Sequence, residues 1–256
     1  MIRARRMSLL VTLALLAALL VVNLMIDPPD DGHGGSPLGT TQANIALMTA
    51  VEMHDIAGIR RALADGAELN AVDSFGWSAL TRAASAGNLA ICSELLSCGA
   101  SPDGGDEGDL PPLISACLHG NYPTVELLLR YGADLNARTR GGGTALNIAA
   151  SAGQLDIACA LIRAGADVNA ADDHGWTPLM GAVSQSESTA VVEALLRAGA
   201  HPDLRDDEGN TAVQIAARDN NLRVVELLLR RRRQESYGRT LLGMAVPDAL
   251  ILRRDG

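Results

Sequence analysis

The sequence contains no lysine, and its aromatic side chains are limited to two Trp, three Tyr and one Phe in 256 residues. Yet 48% of the chain is hydrophobic, so the apolar content is almost wholly Ala, Leu, Val and Ile. A chain of this length has room for one or two domains with a buried core. Without rings, its small aliphatic residues suit many thin, similar layers better than one thick core. Acids are missing from the start of the chain: none precedes Asp27, whereas Arg3, Arg5 and Arg6 all fall within the first six residues. Overall net charge is −9, and the rest of the chain sets 18 Arg against 30 acids. Non-specific nucleic-acid binding needs a basic surface to neutralise phosphates, and this balance argues against it.

Catalytic signatures are also lacking. The five His (His33, His54, His119, His174, His201) show no zinc-like i,i+4 pairing with another ligand-type residue. No Gly-x-Ser-x-Gly, Walker or dinucleotide pattern occurs. The GGGT stretch at 141–144 has no following Lys, and DGGDEGD at 103–109 lacks the alternating oxygen ligands and distal Glu of a calcium loop. The expectation is no enzyme, no metal and no cofactor. Of the four Cys, Cys92 and Cys98 lie about 9 Å apart along a helix, beyond disulfide reach. Cys92 and Cys117 occupy positions where sister segments carry Val or Ala, which reads as small core residues; a bridge between those two is the open alternative.

What the sequence does have begins with an uncharged run from Met7 to Ile26, behind the basic residues 1–6. A helix of that length rises roughly 30 Å, about one hydrocarbon core. The run has no polar face, which makes a buried soluble helix the less favoured reading. The positive-inside bias keeps the arginines cytoplasmic and sends residue 27 onward to the exported, periplasm-like side. The run ends VVNLMIDPP with no Ala-x-Ala-like site, so an uncleaved signal anchor is expected; a cleaved signal peptide is the alternative. Residues 27–40, rich in Pro, Gly and Asp, read as a flexible linker.

From there the chain is periodic. Gly-Ala pairs stand at 66, 99, 132, 165 and 199, spaced by 33, 33, 33 and 34 residues, each closing an aliphatic run. Two residues beyond each pair comes LN, PD, LN, VN or PD. A second register agrees: Leu47, Leu80, Leu113, Leu146, Leu179 and Val213. Two marks with one period indicate a solenoid. Within a unit, Ala145 to Ala152 reads as a short first helix, Gly153-Gln154 as a break and Asp156 to Ala164 as a second helix. Gly165 falls where a left-handed residue would end that helix.

With GADVNAADDHGWTPLMGAV at 165–183, the repeat resembles the ankyrin-repeat family, and the likeness extends over about residues 41–246. The resemblance implies an all-α solenoid with short β-hairpin turns. Six units are expected at about 41–71, 72–104, 105–137, 138–170, 171–204 and 205–237, with a partial cap at 238–251 and the transmembrane helix ahead of them. One departure is systematic. The family's His after Thr-Pro-Leu is replaced by Met48, Thr81, Ile114, Asn147, Met180 and Gln214, so fewer hydrogen bonds and some fraying are expected.

The resemblance also implies function: a monomeric scaffold that binds another protein in a concave groove of hairpin tips and first-helix faces. Carried over unit by unit, the groove takes Ser74, Phe75 and Trp77 in the second unit and Glu107, Leu110 and His119 in the third. Arg138 and Arg140 come from the fourth, Asp173, His174, Trp176 and Gln185 from the fifth, and Asp207, Glu208 and Arg218 from the sixth. Trp and Arg are favoured interface anchors, and the acids would reward a basic partner. Trp77 and Trp176 lie 99 residues apart, three repeats, and have two readings: partner anchors, or packing between neighbouring hairpins.

Overall fold

A computed structural model describes residues 42–104, 110–184 and 189–231. Every described residue belongs to one unit, Thr40–Gly256. The expected anchor (Met7–Ile26), the linker (27–40), the partial cap (238–251), Glu107 and Gln185 lie outside the described residues. No helix among the described residues is long and apolar enough to cross a membrane.

The solenoid unit forms where the period predicts it. First helices are α1 (Gln42–Glu52), α3 (Ala79–Ser85), α5 (Pro112–Leu118), α7 (Ala145–Ser151), α9 (Pro178–Val183) and α11 (Ala212–Arg218). Second helices are α2 (Ile56–Ala64), α4 (Leu89–Ser97), α6 (Tyr122–Arg130), α8 (Leu155–Ala164) and α10 (Thr189–Arg197), and residues 222–231 are helical too. The expected pair in the fourth unit is met within one residue at each end.

Local chemistry sets these boundaries. Ser78 and Thr177 use their hydroxyl oxygens to cap α3 and α9, accepting from the N–H of Thr81 (3.1 Å) and Met180 (3.3 Å). Pro112 and Pro178 stand in the first turns of α5 and α9, where the missing N–H costs nothing. Gly165 closes α8 at φ 95°, a left-handed value that a side chain would strain.

First helices stack α1–α3–α5–α7–α9–α11 in one layer, and α4, α6, α8 and α10 stack in a second. The register leucines Leu47, Leu80, Leu113, Leu146 and Leu179 are each 1% exposed, which makes them the spine of the core. Val213, the last mark of the register, is only half-buried. Buried alanines such as Ala83, Ala116, Ala149 and Ala182 let neighbouring layers approach closely. The second sequence mark has its own task. In the LN, PD and VN pairs, Asn70, Asp103 and Asn169 accept from the N–H of Ser101 (2.9 Å), Asp134 (2.7 Å) and His201 (2.8 Å). Each of these bonds crosses from one unit to the next.

Two expectations are corrected. The β-hairpins do not become strands: among the described residues there are only isolated antiparallel bridges, Val72 with Ser78 and Arg205 with Thr211. The hairpin arms are too short for a ladder, because the tip's own turn uses most of their backbone groups. The second correction concerns the missing histidines. At that position in the fourth unit, the Asn147 amide donates to the carbonyls of Ala170 (3.1 Å) and Trp176 (3.0 Å), tying α7 to the fifth hairpin. In the sixth, the Gln214 side-chain oxygen accepts from the Thr211 N–H at 2.8 Å. The hydrogen-bond deficit is therefore uneven, since Met48, Ile114 and Met180 have no comparable amide to offer.

All four cysteines are free thiols, so the Cys92–Cys117 bridge is not formed. Both side chains are fully buried, and desolvation pushes their thiols up to about 12. They behave as small core residues.

Candidate functional site

Among the described residues, the second, fourth, fifth and sixth hairpin tips are each folded by one side chain. In the second unit the Asp73 Oδ1 accepts from the N–H of Phe75 (2.7 Å) and Trp77 (3.1 Å), while the Asp73 N–H donates to the Trp77 carbonyl (3.0 Å). The fifth repeats this: Asp172 Oδ1 takes His174 N–H (2.9 Å) and Trp176 N–H (2.8 Å). In the sixth, Asp206 takes Glu208 N–H (3.0 Å) and Asn210 N–H (2.7 Å). The fourth substitutes Thr139, whose hydroxyl accepts from Gly143 N–H at 3.1 Å. Glycine completes the turn, as Gly175 shows at φ 75° with the Asp206 backbone only 3.0 Å from where its Cβ would be. Asp73 and Asp206 were absent from the sequence-based groove set, although each stands four residues before the position that Trp176 occupies in the fifth unit.

Neighbouring tips are laced together. The Asp173 N–H donates to the Gly141 carbonyl and the Asp207 N–H to the His174 carbonyl, each at 3.1 Å. Arg138, expected to reach a partner's carboxylates, instead donates to the carbonyls of Gly142 (2.7 Å) and Ala171 (2.8 Å). Its guanidinium is part of the scaffold. Leu110 also packs against the core cluster. His119 is exposed with Nδ1 2.9 Å from the Ser115 carbonyl, and Arg218 makes a long contact of 3.7 Å with Asp219. Arg140 is exposed and takes part in an interaction of its own. Ser74, Asp173, His174, Asp207 and Glu208 are all exposed, and Phe75 is 70% exposed.

The two tryptophans are both half-buried but are held differently. Trp176 packs against the hydrophobic core cluster. Trp77 has a guanidinium instead: Arg82 Cζ lies 5.8 Å from its ring centroid. Arg82 also donates to Asp73 through Nε (2.6 Å) and to Glu52 through Nη1 (2.9 Å). Glu52 and Met53, at the end of α1, extend the row into the first unit, and Met53 is 73% exposed. Neither is in the sequence-based groove set, although Leu47 fixes the frame: they follow it by five and six residues, as Arg218 follows Val213 and His119 follows Leu113.

The sixth tip carries a titration signature. Burial pushes the Asp206 carboxyl up, but the bonds it accepts from Asn210 and Glu208, together with the Arg218 charge, outweigh this and leave it below the usual carboxylate range. Its negative charge is structural.

A family model described as ankyrin repeats in three copies matches residues 47–139, 113–206 and 179–249. The chain belongs to the ankyrin-repeat family. A solved ankyrin repeat domain from Acinetobacter baumannii aligns with 72% of this ankyrin chain and 96% of its own, at 33% identity and a TM-score of 0.67. A mitochondrial disaggregase from Bos taurus is 39% identical over 62 residues, 24% of this chain. The chain spans only 9% of that relative's length. Ankyrin folds are in general non-catalytic scaffolds for protein–protein interaction.

Proposed function

We propose that the ankyrin domain binds another protein along its row of hairpin tips and first-helix ends, and that Met7–Ile26 tethers it to a membrane facing the exported side. The observation that carries the binding reading is Phe75, 70% exposed at the second tip beside the half-buried Trp77, in a chain with only one Phe. A side chain so exposed contributes little to folding, and on docking it would bury apolar area worth roughly 1.5–3 kcal/mol. The tether reading rests on the uncharged run behind Arg3, Arg5 and Arg6. A reporter fused after residue 41 tests it: activity on the exported side is expected, and cytoplasmic activity sinks the tether. For the binding reading, Phe75→Ala and Trp77→Ala should abolish capture of a crosslinked partner from membranes, with the unfolding midpoint shifted little. Undiminished capture would sink it.

A second reading is favoured by one observation. Met53 (73%), Phe75 (70%) and Leu118 (47%) are exposed apolar side chains at the first three units, and the bovine relative is a disaggregase by name. In this reading the row holds unfolded segments loosely as a protective factor. Similar weak binding to many unrelated unfolded chains would favour it over a single partner.

A further inference from the structure

The second tip already contains a bound cation. The Arg82 guanidinium lies over Trp77 and donates to Asp73, and the other carboxylate oxygen of Asp73 holds the tip backbone. Three repeats on, the same frame recurs with Asp172 and Trp176, but the place of Arg82 is taken by Gly181 and that of Glu52 by Ser151. A Cβ at 181 would collide with Ser151 Oγ, and among the described residues no cation lies over the Trp176 ring or pairs with Asp172.

Beside that pair there is open space. A cleft of about 350 Å³ lies between the fifth and sixth tips, lined by Asp172, His174, Trp176, Asp206, Asp207 and Glu208. The acids divide by task. Asp206 and one oxygen of Asp172 are committed to their own turns. Asp207 and Glu208 are exposed, and among the described residues no ion pair joins them to a cation. A metal is a poor occupant, since no group of three ligand-type side chains among the described residues is set to hold one. An anion would be repelled. A cation stacked on a ring and flanked by carboxylates is attracted by both, and here the ring is fixed in advance by its packing on the core.

We infer that the cleft between the fifth and sixth tips receives an arginine or lysine side chain of the bound protein, taking the part that Arg82 plays for Trp77. The inference rests on the reading of the tip row as the interface. It makes the partner bipartite: apolar where it meets Phe75 and Trp77, basic where it meets Trp176.

The test uses the full chain carrying Trp77→Phe, so that Trp176 is the only indole, and blocked Ala-Arg-Ala-Arg-Ala as the probe. Titration should shift Trp176 emission saturably, and the same peptide with citrulline in place of arginine should bind about tenfold more weakly. Asp207→Asn with Glu208→Gln should weaken the arginine peptide by about the same factor while leaving the citrulline peptide unaffected. Equal binding of the two peptides, or no saturable response up to about 10 mM arginine peptide, overturns the inference. If it fails while capture of the natural partner still requires Phe75 and Trp77, the interface reading stands and only the cation site falls. Loss of that requirement as well would remove both.

Discussion

The second and fifth hairpin tips share one frame, an aspartate four residues before a tryptophan, and finish it in opposite ways. At the second, Arg82 closes the electrostatics from inside the chain and leaves Phe75 projecting into solvent. At the fifth, Asn147 pins the backbone from the preceding unit, Trp176 leans on the core, and the charge is left open. Identical register therefore does not mean identical duty. The repeat fixes where a side chain stands, and its neighbours decide whether it holds the fold or faces a partner.

Breaking the fifth tip should have the largest effect. Asn147→Ala removes two donors from buried carbonyls and loosens the cap of α7, and should cost about 2–4 kcal/mol by urea unfolding. A loss under about 0.5 kcal/mol, no more than a neutral surface change, would show that the fifth tip is not held from the fourth unit.

Next come the tryptophans themselves. Trp176→Ala should cost about 2 kcal/mol through lost core packing, and Trp77→Ala about half of that, because its ring rests mainly on Arg82. Equal losses in paired unfolding curves would erase the distinction between the two tips. This asymmetry also makes Trp77→Ala the cleaner variant for binding experiments.

Legibility in the sequence followed the same division. Helix pairs, register leucines and Gly-Ala closures repeat every 33 residues because every layer must bury the same stripe, so a periodic cause left a periodic mark. Arg138 could not be read this way. Its charge suggested a partner, but its reach to the Ala171 carbonyl depends on how closely the fourth and fifth hairpins approach. Asn147 was read as the loss of a histidine, and only the position of the Trp176 carbonyl shows that it supplies the bond instead. The matched tryptophans looked equivalent because the residues that separate them, Arg82 and Gly181, lie on the helices and not in the tips.

Arg82→Met sharpens the comparison at the second tip. It keeps the stem packing and removes the charge, and should cost about 1 kcal/mol, since the pairs to Asp73 and Glu52 are partly solvated. In a Trp176→Phe background the Trp77 emission should move as well. Unchanged emission would mean that the guanidinium does not touch the ring in solution.

The smallest effect is at the sixth tip. Asp206 has its carboxyl held below the ordinary value of 3.8, so the folded form binds the proton less readily than the unfolded chain. Its contribution to stability is present above that value and is lost as pH falls through the folded pKa. Asp206→Asn should flatten part of the acid limb of the stability–pH curve, measured by unfolding at successive pH values. An acid limb identical to that of the unmodified chain would show that this carboxylate carries no share.

The most direct test of the tip row as the binding face compares two exposed aromatics. Phe75 stands at a tip (70% exposed), and Tyr131 ends α6 in the second-helix layer (46% exposed). Benzophenone-alanine placed at each position in the full chain, irradiated in membranes, should give a discrete protein adduct from 75 and little from 131. Adducts of equal yield from both positions, or from 131 alone, would contradict the account.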